Sequence, residues 1–316
     1  MSSFKTLLLA HHTGDDPATR IAIKQFTERV ARRSGGLLNI TDIPGGTLGS
    51  IPAMLQMLTQ GEVDMALVPF DRLGELLPKF SLTCMPFVFD DLAHADRVLN
   101  GPFADWAMPD LLQRGLHRLS SWEWGFRQIS NNARPILHPD DLRGLRIRVP
   151  PIPQYQEAML ALGCVPVIVE FSQLASVMRQ GLVDGQENPI AVIHAYKIYE
   201  NQRYLSLIDY SYGGMLQLIN RQHFEALSIE HQQILSEEST NAATTMREKI
   251  RSQQAAQLEA LRGFGMQIDS PDHAPFQAAM ASALTHLVTR FGETRARTFL
   301  EMVEHMRPAT NEEQLP

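Results

Sequence analysis

The chain has 316 residues, of which 44% are hydrophobic and 20% are charged, and its formal net charge is −7. This composition excludes a disordered chain, and the length predicts two lobes rather than one core. The acidic balance, without a dense Lys/Arg block, argues against a nucleic-acid partner. No run of 18 apolar residues exists, so we expect no membrane span, and Cys84 and Cys164 are expected to be buried thiols.

The first third alternates short apolar runs with helical patterns. "KTLLLAH" predicts a strand, "TRIAIKQFTERVARRSGG" a helix and "LLNITDI" a second strand. Ser50 and Pro52 suit the start of the next helix, and "VDMALV" suits a buried strand after it. This β-α-β-α-β order predicts a parallel sheet with helices on both faces.

The pattern then repeats in the middle of the chain. "LHRLSSWEW" and "FRQISN" predict two strands, "PDDLRGLRIRVP" a turn that leads into a strand, and "VPVIV" another strand. "SQLASVMRQGL" predicts a helix, and "VDGQENPIA" after it is interpreted as a polar turn stopped by Pro189. That turn is either a solvated loop or a wall of hydrogen-bonding groups that faces a ligand.

A long uninterrupted segment follows residue 228. Ser228 is a suitable N-cap, and Gly263 or Gly265 is expected to end the helix. About 30 residues at 1.5 Å each give a length on the order of 45 Å, more than one lobe. We therefore predict an α/β protein with two lobes and a long helix across both; two helices with an unsignalled break are the alternative.

Several side chains at predicted strand ends are candidate ligand contacts. Arg148 ends the strand "GLRIRVPP", and ligands of open α/β sheets bind outside the carboxyl ends of strands. A guanidinium there suits a carboxylate, although a structural salt bridge is equally consistent with the sequence. Arg127 lies beside Trp122 and Trp124, as in a ligand pocket or an interlobe core.

The adjacent histidines His11 and His12 lack the spacing that metal ligands usually have. We therefore predict no metal site and no cofactor.

Motifs of catalysis are missing from the sequence. There is no GxSxG, no Cys-His nucleophile signature and no spaced carboxylate pair. We therefore expect a binding protein rather than an enzyme, with an organic-acid enzyme or a ligand-sensing receptor as the alternatives.

Stretches along nearly the whole chain resemble one family, the DctP-type substrate-binding proteins of TRAP (tripartite ATP-independent periplasmic) transporters. The resemblance rests on "GGTLGS", "MLTQGEVDMALV", "MPFVFDDLAHADRVL", "GFRQISNNARPILHPDDLRG", "GLRIRVP" and "ALGCVPVIVEFSQLASVMRQGLVDGQENP". It implies the two-lobed periplasmic-binding-protein fold with a hinge, which closes on a carboxylate and delivers it to TRAP membrane subunits. The chain departs from the family's usual "SELYTAL" at "SQLASVM", where Ala175 stands in place of a tyrosine.

The resemblance also implies roles for particular residues. Arg148 is the expected carboxylate partner, Arg127 a second contact, Asn188 a pocket residue and Phe171 the aromatic after the strand. Asp184 and Glu187 would brace the structure. From the neighbouring segments we add further candidate ligand contacts: His11, His12, Phe70, Asp71, Trp122, Glu123 and Tyr210.

The carboxylates Asp71 and Glu123 would repel a second acid group and accept hydrogen bonds from hydroxyls. We therefore hypothesise a hydroxylated monocarboxylate, such as a hexuronate or an aldonate. A C4-dicarboxylate and an aromatic or keto acid are the alternatives.

The resemblance fixes further expectations about organisation. Lobe I is predicted to comprise residues 1–124 and 212–250, and lobe II residues 125–211 and 251–316. "MSSFKTLLLA" has too short an apolar core for a signal peptide, which leaves either a cytosolic protein or a mature form without its leader. The resemblance implies the second, a periplasmic protein whose leader is absent from this sequence. We expect a monomer, with a dimer as the alternative.

Overall fold

The computed structural model describes residues 4–14 and 16–308. Its strands are β1 (Lys5–His11), β2 (Leu38–Ile43), β3 (Met65–Pro69), β4 (Leu116–Asn131), β5 (Arg146–Val149), β6 (Val165–Ile168), β7 (Gly185–Pro189), β8 (Tyr204–Ser206), β9 (Tyr212–Asn220) and β10 (Gln267–Asp269). Its helices are α1 (Pro17–Arg33), α2 (Ile51–Gln60), α3 (Phe70–Leu73), α4 (Pro78–Leu82), α5 (Leu92–Leu99), α6 (Pro102–Gln113), α7 (Pro153–Ala161), α8 (Leu174–Arg179), α9 (Ile190–Ala195), α10 (Arg221–Glu225), α11 (Ile229–Gly263), α12 (Ala274–Phe291) and α13 (Glu293–His305). Together they confirm the α/β class.

Strand β4 joins two halves of the sheet. The strands follow the order β2-β1-β3-β9-β4-β7-β5-β6, and β8 pairs with both β4 and β10. Residues 116–126 of β4 pair with β9, whereas residues 127–131 pair with β7. The two strands predicted for this region are therefore one strand of 16 residues. Its register shifts between Glu123 and Gly125, close to the predicted break, and Gly125 adopts a φ of 88° there.

The prediction of one long helix after residue 228 is confirmed. Helix α11 runs for 35 residues, about 52 Å, from the N-cap Ser228, whose hydroxyl accepts a hydrogen bond from the backbone of His231, to Gly263. It packs on α1 and β4 and then reaches α9 and β10. One helix therefore contacts both halves of the sheet.

The segment "VDGQENPIA" is not a turn, and this interpretation was wrong. Residues 185–189 form the buried strand β7. Gln186 donates to the Ser130 hydroxyl at 2.8 Å, and the Asn188 amide donates to Gln186 at 2.5 Å. The Tyr210 hydroxyl donates to Glu187 at 2.6 Å. Because these side chains satisfy one another, the strand can be polar and buried at once.

The predicted lobe boundaries remain a prediction. The crossings near residues 124 and 212 coincide with the change of partner along β4 and with the start of β9. The C-terminal helices contact both predicted parts. Helix α12 packs on α7, and α13 packs on α4 and α6.

Two expectations from composition agree with the structure. Both cysteines are buried free thiols, and burial raises the pKa of each to about 12. Within residues 4–14 and 16–308, no helix is long and apolar enough to cross a membrane.

A substitution at Gly185 tests how closely β7 packs against β4 and β5. A Cβ there would collide with the Ser130 carbonyl oxygen and lie 2.8 Å from Ile147 Cδ1. We expect Gly185→Ala to lower the free energy of unfolding by roughly 1–3 kcal/mol, measured by urea denaturation. Gly263→Ala is the control, because apart from its chain neighbours and its own helix backbone, no described atom lies within 4 Å of the added methyl group. It should leave stability unchanged or raise it by less than about 1 kcal/mol; equal effects of the two substitutions would contradict the close packing of β7.

Candidate functional site

A cavity of about 120 Å³ lies at the carboxyl ends of β3 and β5, and we call it the inner chamber. It combines residues from both halves of the sheet. Of the candidates from the sequence, it is lined by His12, Asp71, Arg127, Arg148, Phe171 and Asn188. The structure therefore brings together side chains that are up to 176 positions apart in sequence, from His12 to Asn188.

Arg148 is a buried cation that the protein only partly satisfies. It is the penultimate residue of β5, and only 1% of the residue is exposed. Its Nε donates to the carbonyl oxygen of Val169 at 2.7 Å, and its guanidinium lies 5.9 Å from the centre of the Phe171 ring. Burial lowers the pKa of Arg148 to about 10, so it stays protonated at neutral pH. Its Nη2 is buried without a hydrogen-bond partner among the described residues, which suits a carboxylate ligand.

Arg127 differs because Glu187 already compensates its charge. Its Nε and Nη2 form a bidentate pair with the Glu187 carboxylate, with an Nη2–Oε1 distance of 2.8 Å. Nη2 also approaches Asn188 Oδ1 at 3.3 Å, and the guanidinium stacks 4.4 Å above the Tyr155 ring. Burial opposes the charge, but the Glu187 carboxylate outweighs it and holds the pKa of Arg127 well above its usual value. Glu187 therefore braces the site as expected, while the second ligand contact of Arg127 stays a prediction.

Two hydrogen-bond acceptors line the same chamber from the N-terminal part of the chain. Asp71, in α3 directly after β3, accepts from the Tyr155 hydroxyl at 3.0 Å through Oδ2. Its Oδ1 is buried without a partner in the described part of the chain, and so is Nδ1 of His12. Burial, with help from the charges of His11 and Arg72, lowers the pKa of His12 to about 4. His12 is thus neutral at pH 7, and one of its ring nitrogens can accept a hydrogen bond.

Direct contacts join the two sides of the chamber. Arg72 and Glu170 form an ion pair at 2.7 Å, and the backbone nitrogen of Gly14 donates to the Tyr196 hydroxyl at 3.2 Å. Arg72, Glu170 and Tyr196 line the chamber, but the sequence analysis did not select them. No local sequence pattern distinguishes these three residues from ordinary surface residues, and only the fold brings them together.

Other sequence candidates lie outside the inner chamber and bond elsewhere. His11 is buried against Asp42 and Thr13, and Glu123 is held by Arg251 at 2.9 and 2.7 Å. Phe70 and Trp122 pack in the hydrophobic cores, and Tyr210 donates to Glu187.

The bulge in β4 explains why Trp124, and not the predicted Trp122, lines the inner chamber. Trp124 falls between Glu123 and Gly125, where the register with β9 shifts, so it has no partner residue on β9. A bulge re-aims the side chain of its extra residue. Trp124 accordingly lines the inner chamber, with its ring edge-on to His12 at 5.5 Å, whereas Trp122 stays in the core.

A comparison with known protein families identifies the family of the chain. The model of the DctP family, the bacterial extracellular solute-binding proteins of family 7, matches residues 9–290. The chain belongs to this family. The predicted resemblance and the two-lobed fold are therefore confirmed.

Individual relatives cover almost the whole chain. The 2,3-diketo-L-gulonate-binding periplasmic protein YiaO of Escherichia coli is 29% identical over 90% of this chain and 88% of its own length. A TRAP periplasmic solute-binding protein of Roseobacter denitrificans with bound β-D-glucuronate has a TM-score of 0.89 and 26% identity, covering 95% of this chain and 99% of that one. The sugar acid binding protein DctPAm of Advenella mimigardefordensis, in complex with galactonate, has a TM-score of 0.90 and 25% identity, covering 96% and 99%. Members of the family bind small organic acids as components of TRAP transport systems.

The Arg127–Glu187 pair yields a stability prediction. Glu187→Gln leaves the buried Arg127 cation without its counter-charge, so we expect the free energy of unfolding to fall by about 3–5 kcal/mol. The matched control is Glu170→Gln, because the Glu170 side chain is 55% exposed in its pair with Arg72. That substitution should cost less than about 1 kcal/mol in urea denaturation of the ligand-free protein. Similar losses in both variants would contradict the bracing role of Glu187.

Proposed function

We propose that the protein captures a hydroxylated monocarboxylate, such as a hexuronate or an aldonate, and delivers it to TRAP membrane subunits. The observation that carries this proposal is that Nη2 of the buried Arg148 has no hydrogen-bond partner within residues 4–14 and 16–308. A buried guanidinium needs an anion, and its planar fork matches the two oxygens of a carboxylate. Because Arg127 already has Glu187, Arg148 is the cation that a ligand carboxylate would meet.

The acceptors favour hydroxyl groups on the rest of the ligand. Asp71 Oδ1 and His12 Nδ1 can each accept from a hydroxyl, and an ionised Asp71 repels a second carboxylate. Trp124 and Phe171 offer apolar surface to the carbon face of a sugar acid. The ligands named for the relatives from Escherichia coli, Roseobacter denitrificans and Advenella mimigardefordensis are sugar acids or related compounds, which supports the same class.

The transport role fixes where and how the protein acts in this proposal. It works in the periplasm, as a monomer and without catalysis, and its lobes close about the crossings between β4 and β9. The contacts from Arg72 to Glu170 and from Gly14 to Tyr196 bridge the cleft and would stabilise the closed form.

Arg148→Lys tests the carboxylate contact. Lysine keeps the charge but cannot form the planar bidentate pair, so we expect affinity for galacturonate or gluconate to fall at least about tenfold. Isothermal titration calorimetry measures this loss. Arg146→Lys is the control, because Arg146 lies on the same strand but is exposed and paired with Asp184. It should bind normally; near-native affinity of the Arg148 variant would refute the assignment.

Asp71→Asn tests the preference for hydroxyls over a second acid group. The amide lacks the charge that strengthens hydrogen bonds from hydroxyls, so sugar-acid affinity should fall by about tenfold. Succinate should bind more tightly to the variant than to the wild type, because the repulsion is removed. Competition titrations of both ligands measure the change, with Asp140→Asn on the surface as the control. If succinate already binds the wild type far more tightly than any sugar acid, the role given to Asp71 is wrong.

A further inference from the structure

A second and larger cavity adjoins the inner chamber. It has a volume of about 690 Å³, and we call it the outer chamber. The residues that line both chambers are His12, Ile51, Arg72, Glu170, Phe171 and Tyr196. Since the same side chains border both spaces, a ligand bound at Arg148 lies next to the outer chamber.

The walls of the outer chamber are mainly apolar or bare of side chains. Helix α8 contributes Leu174, Ala175 and Met178. Ile51 and Pro52 at the start of α2 form the opposite side, beside the glycines of the "PGGTLGS" turn. Gly45 and Gly46 have a φ of 69°, a backbone conformation that residues with side chains rarely adopt. This side of the outer chamber is therefore formed by backbone without side chains.

The charges that border the outer chamber neutralise each other. Arg72 and Glu170 pair at 2.7 Å, and His12 is neutral at pH 7. The described walls therefore offer neither a free cation for a second carboxylate nor a dense set of hydrogen-bond partners for a second sugar ring. Their chemistry favours an apolar extension of the ligand.

We infer that the outer chamber is a second ligand subsite, which binds an alkyl or aryl extension of an acid whose carboxylate lies on Arg148. This inference rests on the proposed function, because it takes the head of the ligand to be a hydroxylated carboxylate. It widens the substrate class from sugar acids to 2-hydroxy acids with an apolar tail. Ala175 matters most to the subsite, because its small, exposed side chain leaves the space beside Met178 open.

The ion pair on the shared border does not prevent entry of a tail. The Glu170 side chain is 55% exposed, and its partner Arg72 keeps an ion pair with Glu75 at 3.3 Å when Glu170 moves. A tail that passes between Ile51 and Phe171 can therefore move Glu170 towards solvent at small cost.

The test is a series of unbranched 2-hydroxy acids of four, six, eight and ten carbons, titrated into the intact protein by calorimetry. Each buried methylene should raise affinity by roughly fourfold once the tail reaches the outer chamber. Ala175→Tyr and Ser172→Trp fill the outer chamber from exposed positions, so each should abolish the gain for the long acids. Both should leave the affinity for the four-carbon acid unchanged.

Arg179→Tyr is the matched control, because Arg179 is an exposed residue of α8 that lines neither chamber. It should keep the full dependence on chain length. Affinities that stay flat or fall with length in the wild type would overturn the subsite and leave the carboxylate site intact. A gain that persists in both filled variants would also overturn it. If Arg148→Lys binds the four-carbon acid as well as the wild type does, the proposed function itself fails.

Discussion

The buried ion pair between Arg127 and Glu187 is the interaction on which the rest of the cleft depends. It lies where β4 leaves β9 and takes β7 as its partner, so it fixes the junction between the two halves of the sheet. A buried carboxylate and a buried guanidinium are each costly alone, and their bidentate contact offsets much of that cost. Tyr210 and Asn188 bond to the same pair and hold its geometry.

This pair also decides which arginine is available to a ligand. Two uncompensated guanidinium groups in one small chamber would repel each other and raise the cost of burial for both. Glu187 removes that conflict for Arg127, and Arg148 is left with one backbone acceptor and a buried Nη2. The site therefore presents one strong anion-binding group rather than a diffuse positive field, as an acidic protein that binds anions requires.

The sequence predicted the regular parts of the fold because their signals are local. The caps at Ser50 and Ser228, the alternation before Arg148 and the uninterrupted helix α11 all depend on neighbouring residues. Strand β7 could not be predicted from its own residues, because its polar side chains bond to β4 and to the segment after β8. No local sequence pattern reveals these partners. Glu123 was misplaced for the same reason: its partner Arg251 is 128 positions away.

The chamber's ionisation state completes the selectivity argument. The pKa of Arg148 is lowered only to about 10, and that of His12 falls to about 4, so neither group titrates between about pH 5 and 9. Over that range the Arg148 guanidinium stays charged and the His12 imidazole stays neutral. The proposed ligand, a hydroxylated monocarboxylate, would supply the anion for Arg148, and its hydroxyls would supply donors for Asp71 and His12. A dicarboxylate would place its second anion where the chamber offers the acceptors Asp71 and His12, so these acceptors would oppose a second acid group while Arg148 attracts the first.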